Sequence, residues 1–193
     1  VPVSIQTEFP WEGKVLVQVD PEEELEFDFH LRVPGWAMEN PVPGNLYSFV
    51  PGENSNFSIQ VNGKEAKFKM ENGYAVLSQT WKKGDQITYT LPMPIRELQS
   101  RPEVVANTGR IAIQRGPLVY CVEGTDNDGT VLDLTVSQIP NYQLEEFKVL
   151  DERVLAVRFS GNKAGEAKSA LAIPYYTWAN RGSNEMQVWI PKE

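Results

Sequence analysis

Residues 25–33 constrain the fold most. Leu25, Phe27, Phe29, Leu31 and Val33 share one parity, and Glu26, Asp28, His30 and Arg32 share the other. Successive side chains of an extended strand point to opposite faces, so the segment predicts a strand with one face in a core and one in water. Pro34-Gly35 ends it, because proline has no N–H to give to a ladder.

The same grammar recurs along the chain. Strands are expected at 14–19, 58–61, 66–68, 74–77 and 86–91, and in the second half at 110–114, 118–122, 130–136, 154–159, 169–173 and 186–190. Asn62-Gly63 tolerates positive φ and suits a hairpin between two of them. The 14 glycines and 14 prolines punctuate short apolar stretches, and no window carries the apolar stripe of a long helix. The fold class is therefore all-β, an antiparallel β-sandwich or jelly roll. Pro92-Met93-Pro94, Pro102 and Asn107-Thr108-Gly109 interrupt the alternation. That break predicts two packed sandwich units, 1–98 and 99–193, with one composite β domain as the alternative. Residues 41–56, rich in proline, glycine and asparagine, read as a long loop of the kind that serves function or an interface.

Charge narrows the partners. With 26 acidic against 18 basic residues, the net charge is -8, and such a surface repels a phosphate backbone. Nucleic acid is not an expected partner. Neither is a membrane interior, since no apolar run has the length that a bilayer requires. The N-terminus has no initiator methionine and no signal-peptide pattern, so the chain is expected to be a piece of something longer.

Few residues invite chemistry. Cys121 lies in Leu118-Val119-Tyr120-Cys121-Val122, where a cysteine behaves as a small buried hydrophobe. A thiolate-rich metal site needs several soft ligands, and this chain has one cysteine and one histidine. No catalytic residue, metal or cofactor is expected in it. His30 reads as a surface residue on the polar strand face. Glu22-Glu23-Glu24 and Glu145-Glu146 read as solvated charge runs. Asp126-Asn127-Asp128-Gly129 begins like a calcium loop, but the glycine such a loop requires would fall where Val131 stands, so a turn is the better reading.

The aromatic residues leave two roles open. Trp36 follows one proline-bearing strand end, and Tyr175, Tyr176 and Trp178 cluster after another, with Arg181 close behind. They are candidates for carbohydrate contact or for interdomain contact, and large rigid rings more often serve core and interface. Trp11 and Trp81, each beside a turn, read as core residues. Arg110, Arg115 and Arg181 read as structural pairing partners.

Four segments, in order, resemble one family. They are Phe9-Pro10-Trp11-Glu12-Gly13-Lys14-Val15, Leu31-Arg32-Val33-Pro34-Gly35-Trp36-Ala37, the run from Gly109-Arg110-Ile111 to Leu118-Val119-Tyr120, and Ile173-Pro174-Tyr175-Tyr176-Thr177-Trp178-Ala179-Asn180-Arg181-Gly182. Together they resemble the C-terminal β region of glycoside hydrolase family 127, the β-L-arabinofuranosidase-like proteins. The resemblance implies a bacterial parent with an N-terminal α/α-barrel domain as the partner of this region. It places the chemistry in that barrel, where cysteines and a glutamate hold zinc and one cysteine is the nucleophile. None of those motifs has a counterpart here. The implied role is non-catalytic support of the barrel, with a homo-oligomer as a further possible partner and a glycan as another. A periplasmic or extracellular location is favoured over a cytoplasmic one. The alternatives are a carbohydrate-binding module and a protein interaction module unrelated to sugar.

Overall fold

The computed structural model describes residues 1–52 and 56–193. The fold is all-β, and among the described residues the only helices are 3-10 turns of three or four residues. No helix of the described residues is long and apolar enough to cross a membrane. The first ten strands are β1 Val3–Thr7, β2 Lys14–Val19, β3 Leu25–Arg32, β4 Tyr47–Phe49, β5 Ser58–Val61, β6 Lys64–Glu65, β7 Lys69–Glu71, β8 Tyr74–Trp81, β9 Asp85–Thr90 and β10 Ile95–Ser100. The others are β11 Arg110–Arg115, β12 Leu118–Glu123, β13 Leu134–Val136, β14 Gln143–Val149, β15 Glu152–Lys163, β16 Glu166–Pro174, β17 Met186–Gln187 and β18 Ile190–Pro191.

Two compact units divide the chain. One comprises Val1–Pro43 and Glu53–Pro94, the other Gly44–Gly52 and Ile95–Glu193. In the first, an antiparallel sheet β1-β2-β9-β5-β6 faces a smaller antiparallel sheet β3-β8-β7. Val17, Val19, Ile59, Ile87 and Tyr89 from the larger sheet meet Leu31, Ala75, Leu77 and Trp81 from the smaller one in a shared core. Alternation makes this possible, since it sends every second residue of each strand inward. Trp81 is 0% exposed, and its indole N–H donates to the Phe27 carbonyl at 3.0 Å, so the one polar atom of the ring is satisfied. On β3 the expected faces appear: Leu31 and Val33 are buried, Phe27 and Phe29 pack partly buried, and Glu26, Asp28, His30 and Arg32 are exposed. Leu25 departs from the pattern at 49% exposed, because it sits at the strand's open end.

The second unit is one long sheet, β13-β15-β16-β12-β11-β10-β4, with β14 on β15, β17 on β12 and β18 on β11. β15 is 12 residues long and serves three partners in turn. It pairs with β14 through Glu152–Arg158, with β16 through Val157–Lys163 and with β13 at Gly161–Lys163. Gly161 is what lets β13 come so close, since a β-carbon there would collide with the Thr135 carbonyl oxygen. The core gathers Ile113, Tyr120, Val122, Val157, Phe159, Ala170 and Ala172 with Val131, Leu134, Val136 and Ile190. A parallel bridge joins Val136 to Lys192.

The expected boundary needs correction. A break at 98/99 falls inside β10, which pairs with β11 through Ile95–Leu98 and with β4 through Leu98–Ser100. The prolines at 92 and 94 end the first unit, and the charges that follow do not break the strand. Arg96 lies over the Phe49 ring at 4.4 Å, and Glu97 is clamped by Lys192 at 2.6 Å. Of the loop expected at 41–56, residues 53–55 lie outside the described residues, and residues 47–49 form β4 rather than loop. Residues 66–68 lie between β6 and β7, and only the last three residues of the strand expected at 130–136 form β13.

Candidate functional site

The aromatic turn after β16 is held by the strands beneath it. β16 ends at Pro174, which cannot extend the ladder. Tyr175–Thr177 then make a single 3-10 turn, closed by the Trp178 N–H on the Tyr175 carbonyl at 3.1 Å and by the Thr177 hydroxyl on the Pro174 carbonyl at 2.6 Å. The next residue, Ala179, has φ of 63°, a left-handed conformation costly for a residue with a β-carbon. Its N–H donates to Glu123 Oε1 at 2.9 Å, which fixes that conformation.

Glu123 ends β12 and is 0% exposed. Its other oxygen accepts from Arg181 at 2.5 Å, and Arg181 also forks onto Asp126, with Nη1 reaching Oδ1 at 2.7 Å. Hydrogen bonding to Asp126, ahead of the bond to Glu123, raises the guanidinium further above its already high value. Arg181 is thus the cation that makes two buried carboxylates tolerable, as burial of an unpaired charge would not be. Beside it, the buried Asn127 donates to the Glu123 carbonyl at 2.8 Å and the Leu171 carbonyl at 3.0 Å, and accepts from the Leu171 N–H at 2.9 Å. The stretch 126–129 is therefore an internal fastening of the fold. Asp126 pairs with Arg181 and Asp128 with Lys168.

Over this anchor the rings stand free. Tyr175 is 45% exposed, Tyr176 59% and Trp178 40%. The Tyr175 and Trp178 rings are parallel within 6°, with centroids 6.1 Å apart. Burial, with Glu152 nearby, holds the Tyr176 phenol above its ordinary pKa. A groove of about 350 Å³ opens alongside, lined by Trp178, Ala179, Gly182, Ser183 and Asn184. The structure thus brings together four of the five candidates, Tyr175, Tyr176, Trp178 and Arg181. Three of these are exposed, whereas Arg181 turns inward. Trp36 belongs to the other unit, where it lies half-buried against the core.

Other polar positions are occupied by the fold itself. In a second groove of the same unit, Glu97 accepts from Lys192 and from the Tyr142 hydroxyl at 3.0 Å, so its charge is already matched. Arg110 donates to Gln187 at 3.0 Å and to the Trp189 carbonyl at 2.9 Å. His30 is exposed and meets the Tyr74 ring edge-on. Cys121 is 0% exposed, and burial, reinforced by Glu123, pushes its thiol up to about 12. The sequence does not mark Glu123, whose partner Arg181 lies 58 residues away, and it marks Asn127 only as part of a turn, since Leu171 lies 44 residues away.

Comparison with known proteins decides the family. The model for the β-L-arabinofuranosidase GH127 middle domain matches residues 1–93, and that for the glycoside hydrolase family 127 C-terminal domain matches residues 95–191. The chain belongs to glycoside hydrolase family 127. The two family 127 domains divide within two residues of Pro94, where the prolines end the first unit. A non-reducing end β-L-arabinofuranosidase of Bifidobacterium longum subsp. longum is 28% identical over 211 residues, spanning 97% of this chain and 30% of that protein. A solved GH127 β-arabinofuranosidase superposes with a TM-score of 0.89 at 31% identity, over 99% of this chain and 31% of the other. A GH127 β-L-arabinofuranosidase from Geobacillus stearothermophilus T6 gives 0.81 at 29% identity, over 99% and 30%. This chain spans about 30% of the length of the relatives it matches.

Among the described residues no group of three His, Cys, Asp or Glu side chains converges, and Cys121 is sealed between β-strands with its thiol protonated.

Proposed function

We propose that this chain is the non-catalytic β-sandwich region of a β-L-arabinofuranosidase-like glycoside hydrolase, and that it supports an N-terminal α/α-barrel that carries the zinc and the chemistry. The observation that carries this reading is the pair of adjoining matches, to a middle and a C-terminal domain, which account for 1–93 and 95–191. The acidic residues agree with it. The buried carboxylates, Glu123 and Asp126, are both committed to Arg181, which leaves neither to act as an acid or base on a glycoside. The parent reaction would be hydrolysis of a terminal L-arabinofuranoside, the substrate class named for the relatives.

The test is an assay of the purified chain on aryl L-arabinofuranosides. No turnover is expected. Turnover that survives repurification and vanishes on changing one acidic residue would overturn the reading. The supporting role is tested in the full-length protein, whose thermal midpoint should fall when this region is removed.

A further inference from the structure

We propose that Tyr175 and Trp178 form a carbohydrate-binding platform, on which a sugar ring of a neutral oligosaccharide stacks while its hydroxyl edge enters the groove beside Trp178. This goes beyond the supporting role and stands without it.

The ring geometry is the starting point. Parallel rings in full contact lie about 3.5 Å apart, plane to plane. The Tyr175 and Trp178 centroids are 6.1 Å apart, well beyond that contact distance, so the two rings are not in full face-to-face contact. Each keeps an open face, in keeping with exposures of 45% and 40%. The C–H face of a sugar is apolar and flat, and two parallel aromatic faces offer it a matching surface.

The surroundings favour a polar, uncharged ligand. None of the groove's lining residues is charged. Ser183, which lines the groove, is exposed. A serine hydroxyl suits a sugar hydroxyl, since each can donate as well as accept. An anionic glycan would meet a chain of net charge -8, with the nearby Arg181 already neutralised by Glu123 and Asp126. Size points the same way. A stable protein partner covers about 800 Å² on each side, whereas two rings and a five-residue groove suit one or two sugar rings.

The platform is also held in advance. The bonds from Glu123 to Ala179 and Arg181 tie the turn to β12. Binding therefore spends little on ordering the rings, which is how a small surface reaches useful affinity.

The experiment is an NMR titration of the whole chain with arabino-, xylo- and cello-oligosaccharides, and with oligogalacturonate as the charged control. Saturable shifts are expected at the Trp178 indole N–H and at Ser183 and Asn184 with at least one neutral oligosaccharide. Trp178→Ala should weaken that binding by about tenfold or more with the thermal midpoint unchanged, and Trp178→Phe should retain most of it. If Trp178→Ala melts early, Tyr175→Ala carries the test in its place. Absence of any saturable shift with the neutral series overturns the proposal. So does a shift map centred elsewhere, a preference for oligogalacturonate, or binding unchanged in the ring variants. Enzyme inactivity of the chain leaves the proposal standing, so the two readings fail separately.

Discussion

Arg181 Nη2 lies 2.5 Å from Glu123 Oε2, and the Glu123 side chain is wholly withdrawn from solvent. The pair fastens the aromatic turn to the end of β12 across 58 residues of sequence. Removing the guanidinium would leave two carboxylates buried without a counter-charge. Arg181→Ala is therefore expected to cost about 3–5 kcal/mol, measured by urea unfolding. Arg181→Lys should recover only part of it, because an ammonium cannot fork onto both acids. A variant as stable as the parent would show that the acids find another partner.

Glu145 and Arg158 give a smaller, pH-dependent contribution. Two 2.7 Å hydrogen bonds from Arg158 hold the Glu145 carboxyl below its ordinary value. A carboxyl whose folded-state pKa is depressed stabilises the fold above its unfolded value, and that gain is lost as pH falls through the folded one. The window is thus the acid side of the ordinary carboxylate range. With the side chains 33% and 39% exposed, the effect is less than about 1 kcal/mol. Glu145→Gln should lower stability slightly at neutral pH and narrow the difference between neutral and acid urea melts. An unchanged difference would remove the pair from the pH dependence.

Cys121 should be silent in the native chain. Burial pushes its thiol up to about 12, so the reactive thiolate is scarce near pH 8, and the sulfur is shielded as well. Labelling by an aromatic disulfide reagent should be slow and should accelerate with denaturant in step with global unfolding. Prompt stoichiometric labelling in buffer would mean that β12 opens locally.

Legibility in the sequence followed the range of the interactions. β3 could be read because the signal is local, each neighbour differing from the next. β10 and β14 could not. Arg96 and Glu97 look like strand breakers until Phe49, Tyr142 and Lys192, between 45 and 95 residues away from one or the other, arrive to cover them. Glu145-Glu146 looks like a solvated run until β15 supplies Arg158 and Arg153 across the ladder. The aromatic cluster was visible as composition. The parallel setting of Tyr175 and Trp178 was not, because it depends on the left-handed Ala179 and its bond to Glu123.

Trp36 and Trp81 allow a comparison inside one unit. Both rings pack on the same core, but Trp81 is fully enclosed, with Phe27 and Phe29 ring centroids at 5.8 and 5.7 Å, whereas Trp36 is half-buried. The cost of emptying an aromatic site scales with the area returned to water and the cavity left behind. Trp81→Ala should therefore cost about 3–5 kcal/mol, and also orphan the Phe27 carbonyl that its indole N–H satisfies. Trp36→Ala leaves an open notch that water can fill, so about half that cost is expected. Paired thermal melts decide the order. Equal losses would mean that Trp36 is held by more than its share of the core, and no loss at Trp36 would make its ring a free contact surface like that of Trp178.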